Sequence, residues 1–516
     1  MKTKFTKKAL AFLTVFALLV TAASLSFSAL AAGSGNANAT RFVFSDSGIS
    51  VTEGAYTGYK VKGTALSITE AGVYSVSGSC KNGTIVIKKN VTGVTLILNG
   101  LTLFASATAP ITCNKGSGAD LVAAAGTVNN LADDKYNNDD VYTDETAYPD
   151  IENAVIKCKD GSNVTISGKG TLNVTANGKN GVKGGGDLYE EDENGSATDV
   201  LLSTASLTVK EVTLNITCNA NDGLKADKEL NILSGNITVS AVDDGIKSDC
   251  VLNIGAEGTA GPVVKVTKAA EGIEAATVNV YSGNISVNAT DDGINAANSD
   301  IAERSRDFSN NQYGGYVYIN VTNGDGIDSN GSALLAGGTL EVWAPAQGDG
   351  DPIDTEYGCT FSGATVLAVG HAMMQQSYSG VYVAFGGNSG GRPGFGGTGG
   401  SSGGNLVTAG GRLTITDASG NTLCTSASAA PRSASYVVFA SPDLTSGESY
   451  TLNGSATAAA VTSSGGGMGP GGQGGPGGQG GFPGGEGSNQ ALTDIIAWLR
   501  NLLERILAVF RSLARF

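Results

Sequence analysis

The sequence predicts an all-β protein, a solenoid of the parallel β-helix kind, and three observations carry that reading. An acid-Gly-aliphatic-polar tetrad recurs as Asp222-Gly223-Leu224-Lys225, Asp244-Gly245-Ile246-Lys247, Glu271-Gly272-Ile273-Glu274, Asp292-Gly293-Ile294-Asn295 and Asp325-Gly326-Ile327-Asp328, at spacings of 22, 27, 21 and 33 residues. A weaker copy is Asn180-Gly181-Val182-Lys183. Between copies, short segments such as Leu230-Asn231-Ile232, Asn236-Ile237-Thr238-Val239 and Asn284-Ile285-Ser286-Val287 alternate aliphatic and polar residues, the period of a strand. Composition agrees. Charged residues are 15% against about 25% in an average soluble domain, and 76 glycines with abundant Asn, Thr, Val and Ser make strand-and-turn chemistry. A propeller needs blades of about 40 residues, longer than this unit. Successive coils of a parallel β-helix stack about 4.8 Å apart with aliphatics inside, which fits.

Taken from the N-terminus, Lys2, Lys4, Lys7 and Lys8 precede an apolar run from Ala9 to Val20, and Ala29-Leu30-Ala31 offers a cleavage site. Residues 1–31 therefore read as a secretory signal peptide, and the protein as secreted or cell-surface associated. Its removal takes four lysines and no acid, so a net charge of −15 becomes −19. The solenoid is predicted over 40–385, with strands in Ser67–Val76, Thr84–Lys88, Val94–Leu103, Thr339–Trp343, Thr365–Val369 and Leu413–Thr416. The Gly/Ser-rich 386–404 reads as a loop and 405–462 as terminal strands capping the coils. Residues 463–489 form a Gly/Pro/Gln linker. In 490–516, Leu492, Ile495, Ile496, Leu499, Leu502, Leu503, Ile506 and Leu507 follow helical spacing with arginines mostly opposite. That predicts an amphipathic helix with a membrane surface, a partner protein or a second copy as its target.

Several function classes are excluded early. No basic patch exists for nucleic acid. A single histidine, His371, leaves no Ser-His-Asp, Cys-His or multi-His zinc chemistry. The seven cysteines have no C-x-x-C pair, and buried free thiols are the favoured reading over disulfides.

The run Gly324-Asp325-Gly326-Ile327-Asp328-Ser329-Asn330-Gly331 then Gly337-Gly338-Thr339-Leu340, with Asp243-Asp244-Gly245-Ile246-Lys247-Ser248-Asp249 upstream, resembles the clostridial extracellular carbohydrate-binding β-helix proteins. Val94–Leu103, Gly126–Asp133 and Ala372-Met373-Met374-Gln375-Gln376 support the resemblance, which spans about 80–460. The acidic insert 187–199, the Glu271 coil without a paired Asp, and everything after 463 depart from it. The resemblance implies a right-handed, pectate-lyase-like parallel β-helix, bound calcium, and binding of cellulose and acidic sugars.

The residues themselves argue for a cation. Stacked in register, Asp222, Asp244, Glu271, Asp292 and Asp325 form a column of carboxylates, each repelling its neighbour by roughly 1 kcal/mol in water and more when screened less. Lys225 and Lys247 offset the first two coils, but Glu274, Asn295 and Asp328 replace lysine beyond. A hard cation held by oxygens is the remedy, so the candidate calcium ligands are Asp222, Asp243, Asp244, Asp249, Glu271, Asp291, Asp292, Asp325 and Asp328. Against this stands the plain turn-forming role of Asp-Gly. Candidate sugar contacts are Trp343, Tyr313 and Tyr316, with Lys225 and Lys247. Trp343 follows a strand and serves either as packing or as platform. The acidic loops 131–152 and 187–199 are either solvated or a ligand lip.

The function expected is calcium-dependent binding of an acidic, pectin-like polysaccharide and of cellulose, without catalysis. The alternatives are a calcium-dependent polysaccharide lyase, with Lys247 or Lys225 as base, and a surface adhesin.

Overall fold

The computed structural model describes residues 38–186, 189–191, 197–201, 205–298, 308–348, 350–371, 376–386 and 405–463. The predicted signal peptide, most of the Gly-rich loop, the linker and the amphipathic helix of 490–516 lie outside the described residues, as does the separate unit 468–516. Among the described residues every regular element is a strand, and 34 of them join one continuous sheet.

The alternation seen in sequence becomes three parallel columns. In the first, Leu207 stands beside Leu230, Leu230 beside Leu252, and Leu252 beside Val278. In the second, Leu172, Leu214, Ile237, Val264, Ile285, Val317, Leu340 and Val366 succeed one another in parallel register. The third carries the tetrads, with Val182, Leu224, Ile246, Ile273, Ile294 and Ile327 stacked one per coil. All of these aliphatics are at most 2% exposed. Burying each contributes about 1.5–3 kcal/mol relative to leaving it in water.

Asparagine ladders run along the outside of the same strands. The Asn173 amide donates to Asn130 and Asn215 donates to Asn173, both at 2.9 Å. Asn253, Asn279 and Asn311 repeat the pattern at 2.9–3.1 Å. A slip of one residue would turn every ladder inward, so core and ladder fix the same register.

The two ends depart from the parallel pattern. Thr40–Ser45 pairs antiparallel with Gly48–Thr52, and Tyr59–Lys62 with Ala65–Ile68. The expected strand Ser67–Val76 is thus two strands, Ala65–Ile68 and Gly72–Cys80, divided where Thr69 N bonds back to Gly58 O at 2.8 Å. At the other end Tyr436–Ala440 pairs antiparallel with both Thr365–Gly370 and Tyr378–Gly386. A four-stranded sheet, Thr414–Thr416, Thr422–Thr425, Ser449–Leu452 and Ala456–Ala459, completes this end. Antiparallel closure removes an open edge that would otherwise template further pairing. All seven cysteines are unbridged, five of them buried.

Candidate metal centre

The tetrads enter the third column in register, so their first and fourth residues form two rows. Gly223 N donates to Asp244 O, Gly245 N to Glu271 O, Gly272 N to Asp292 O and Gly293 N to Asp325 O, each at 2.8–2.9 Å. The row of acids foreseen from the spacing is therefore real. It also continues one coil further. Gly326 N bonds to Asp351 O at 3.0 Å, and Ile327 bridges to Ile353. Asp351-Pro352-Ile353-Asp354 is a tetrad with proline in the glycine position. The acid-x-Ile-acid pattern was its only sequence signal, hidden by that proline.

Side chains of the row cap the neighbouring coil. Asp222 Oδ1 accepts from Asp244 N at 3.3 Å, Asp292 Oδ1 accepts from Asp325 N at 2.7 Å, and Asp325 Oδ1 accepts from Asp351 N. The turn-building role and the charge problem thus coexist. The tetrad glycines have a separate cause. A Cβ on Gly272 would meet Val287 Cγ1 at 2.1 Å, and one on Gly293 would meet Ile319 Cγ2 at 2.2 Å. Close approach of the second column, not a left-handed φ, demands glycine there.

Three carboxylate groups bring ligand oxygens within 4.8 Å of one another: Asp222 with Asp243 and Asp244; Asp244 with Glu271 and Glu274; Asp325 with Asp328 and Asp354. They differ in what already neutralises them. Lys225 lies 3.9 Å from Asp222 and 3.5 Å from Asp249. Lys247 reaches Asp244 at 2.7 Å and also binds Glu274. Burial alone would lower the Lys247 pKa, but Asp244 and Glu274 outweigh it and hold the ammonium well above its ordinary range. Burial pushes Asp244 up to about 8 against the opposing pull of Lys247, with Asp222 and Glu274 adding to the rise. Glu271 is raised to about 7, by burial and then by Asp244.

The third group stands apart. Among the described residues no lysine or arginine pairs with Asp325, Asp328 or Asp354. Burial raises Asp325 to about 8 and Asp328 to about 7, with Asp292 and Asp354 adding repulsion. Among the described residues the neutral Gln376 side chain faces it, donating to Asp354 at 3.0 Å and to Asp351 at 3.4 Å. An all-oxygen set of three crowded carboxylates suits a hard cation, and calcium takes such ligands together with backbone carbonyls and amide oxygens.

Other expected residues fall elsewhere. Asp249 is paired with Lys225 and belongs to none of the three groups. Asp291 and Asp292 lie outside them too, although Asp292 repels both Asp325 and Asp328. Glu274 and Asp354 are the ligand candidates that sequence reading missed. Lys225 and Lys247 have their charges committed to carboxylates, which removes them as free cationic sugar contacts. Trp343 is 0% exposed, packed among Leu367, Val383 and Leu413, and its indole NH donates to Glu341 at 2.9 Å, so it is core and not a platform. The half-buried Tyr316 hydroxyl lies 3.4 Å from the same Glu341. Tyr313 remains open, at 44% exposure.

The acidic loop of 131–152 is largely structural. Asp133 is buried and accepts from Asn177 N at 2.7 Å and from Asn137 Nδ2 at 2.8 Å. Tyr136, Tyr142 and Tyr148 pack on one another at 4.9–5.6 Å between ring centroids. Of the loop 187–199, residues 187–188 and 192–196 lie outside the described residues, and Tyr189–Glu191 pairs antiparallel with Ala197–Leu201.

Comparison with known proteins bears on this geometry. The family described as "Carbohydrate-binding domain-containing protein" matches residues 62–194 and 186–260. That segment is similar to a carbohydrate-binding domain. A protein of the same description from Acetivibrio thermocellus is 28% identical over 155 residues, which is 30% of this chain and 47% of the relative. The match thus spans about half the length of that relative. Among solved structures, the polysaccharide lyase-like protein from C. thermocellum, a gadolinium derivative, aligns over 64% of this chain and 96% of its own at 20% identity, with a TM-score of 0.34.

Proposed function

We propose that this chain is a secreted polysaccharide-binding protein whose coils form a right-handed parallel β-helix, and that calcium on its acid row recruits an acidic, pectin-like chain without cleaving it. The observation that carries the reading is the Asp325, Asp328 and Asp354 group, three carboxylates within 4.8 Å that no lysine or arginine pairs with among the described residues. Asp325, Asp328 and Asp354 would hold the ion, with Asp222, Asp243 and Asp244 as a second, partly lysine-neutralised set. Bound there, calcium supplies positive charge that a uronate carboxylate can share. A chain of net charge −15 would otherwise repel such a polymer. The similarity of residues 62–260 to a carbohydrate-binding domain supports the sugar half of the reading. Binding to polygalacturonate, measured by calorimetry with calcium and again with excess chelator, tests it. Retention that a chelator does not weaken sinks the calcium bridge, and no binding in either condition favours an adhesin.

One observation favours a lyase as second reading. Its base is then not Lys247 or Lys225, both of which are held charged. Lys157 lines a cleft with Glu152, Lys159 and Asp160 and donates to Gly185 O, and burial, with help from Lys183, pushes it down to about 8. Unsaturated uronate products that vanish in a Lys157→Met variant would establish catalysis.

A further inference from the structure

Tyr281 and Tyr313 occupy equivalent positions on successive coils. Each follows the last residue of its strand, Val280 and Gln312, and those residues are register partners. Tyr281 N donates to Ile254 O and Tyr313 N to Val280 O, at 2.9 and 2.8 Å, so the backbone repeats as well. The rings stack with centroids 5.2 Å apart and planes 11° from parallel. On the coil before, the equivalent residue is Gly255, whose N donates to Ile232 O; on the coil after, it is Ala336, whose N donates to Gln312 O. Neither carries a side chain long enough to cover a ring. The Tyr313 end of the stack is open, at 44% exposure, whereas Tyr281 is half-buried.

We propose that the Tyr281–Tyr313 stack is a platform for a pyranose ring of a neutral β-linked glucan, separate from the acid row. This rests on the carbohydrate-binding reading of the chain. An aromatic face carries partial negative charge, and the ring C–H groups on one face of a pyranose carry partial positive charge, so the two stack while water is expelled. The stack lies beyond the ends of first-column strands, whereas the acid row opens third-column strands. Its electrostatics also select the ligand. Glu257 is near enough to raise the Tyr281 phenol, after burial and Tyr313, and an acid beside the stack disfavours a uronate relative to an uncharged sugar. Rings fixed by coil register lose little freedom on binding, the usual advantage of aromatic anchors.

The test compares a soluble neutral β-glucan with polygalacturonate plus calcium, using the full chain and affinity electrophoresis or calorimetry. In the Tyr281→Ala/Tyr313→Ala variant we expect glucan affinity to fall about tenfold or more while polygalacturonate binding is unchanged. Tyr313→Trp should restore or strengthen glucan binding, which a purely structural stack would not do. Unaltered glucan binding in the double variant, with or without a lower melting temperature, overturns the platform and leaves the stack as a register device. Wild-type protein that binds polygalacturonate but not glucan also overturns the platform alone. Wild-type protein that binds neither removes the carbohydrate reading itself.

Discussion

A methyl group at Gly272 has no room, because Val287 Cγ1 would lie 2.1 Å away and Gly293 O 2.5 Å away. Gly272→Ala must push two columns apart, so we expect a loss of about 1–3 kcal/mol in denaturant unfolding. A change confined to about 0.5 kcal/mol would show that the wall yields. A second residue-scale prediction concerns Asp227, fully buried, with neither carboxylate oxygen hydrogen-bonded among the described residues. Burial, then the charge of Asp249, raises it to about 8 despite Lys183, Lys157 and Lys225. The folded state therefore holds this proton more tightly than the unfolded chain. Its contribution is fully present below about pH 4 and is lost as pH rises through about 8. Lys157, pushed down to about 8, acts in the opposite sense, and its penalty is relieved only above that pH. Asp227→Asn should flatten the fall in stability between pH 5 and 8 and add on the order of 1–3 kcal/mol at pH 8–9. Melting curves across that range that superimpose for the two proteins would refute it.

At the scale of elements, one side chain makes four bonds from the C-terminal segment to the coils. Arg432 donates to the carbonyls of Trp343 and Ala344 at 2.8 and 3.0 Å, to Asn320 Oδ1 at 2.7 Å and to Val321 O. Arg432→Ala leaves buried carbonyls short of a donor, and we expect a loss of about 2–4 kcal/mol, with faster hydrogen exchange in Tyr436–Ala440 than in the middle coils. Uniform exchange in both segments would contradict it. This contact was not legible in the sequence, since 89 residues separate Arg432 from Trp343 and neither sits in a motif. The coils were legible because aliphatic alternation and the tetrads repeat at one register, so each copy predicts the next. The row of acids followed from the same logic. Where the repeat changes letter it became opaque: Pro352 in place of glycine concealed Asp351 and Asp354, and Glu274 was read only as a missing lysine. Trp343 misled for a related reason. Outward positions of the second column are solvated along most of its strands, but the terminal sheet covers the last of them and turns Trp343 and Leu367 into core.

For the whole molecule, strands stacked in parallel register are stabilised chiefly by their immediate neighbours, so an ion acts where it binds and little beyond. Asp325 and Asp328 belong to one coil and Asp354 to the next, so a cation there ties two coils at the capped end. Anything that binds only the folded state adds about 2.7 kcal/mol at a hundredfold excess over its Kd. Because the three carboxylates must be ionised to bind, calcium should displace protons held by Asp325 and Asp328, and its affinity should rise from pH 6 to 8. The stabilisation should also be local. Saturating calcium is expected to slow hydrogen exchange in Ile327–Ser329 and Ser332–Leu335 and to leave Thr84–Ile87 unaffected. Asp328→Asn/Asp354→Asn should abolish that protection while raising the stability of the calcium-free protein, since it removes two repelling charges. Asp243→Asn, in the lysine-neutralised group, should do neither. Protection spread evenly along the chain, or lost equally in both variants, would place the ion elsewhere. If the protection instead follows Asp243, the lysines have not neutralised the first group, and the assignment of the dominant site to the capped end fails.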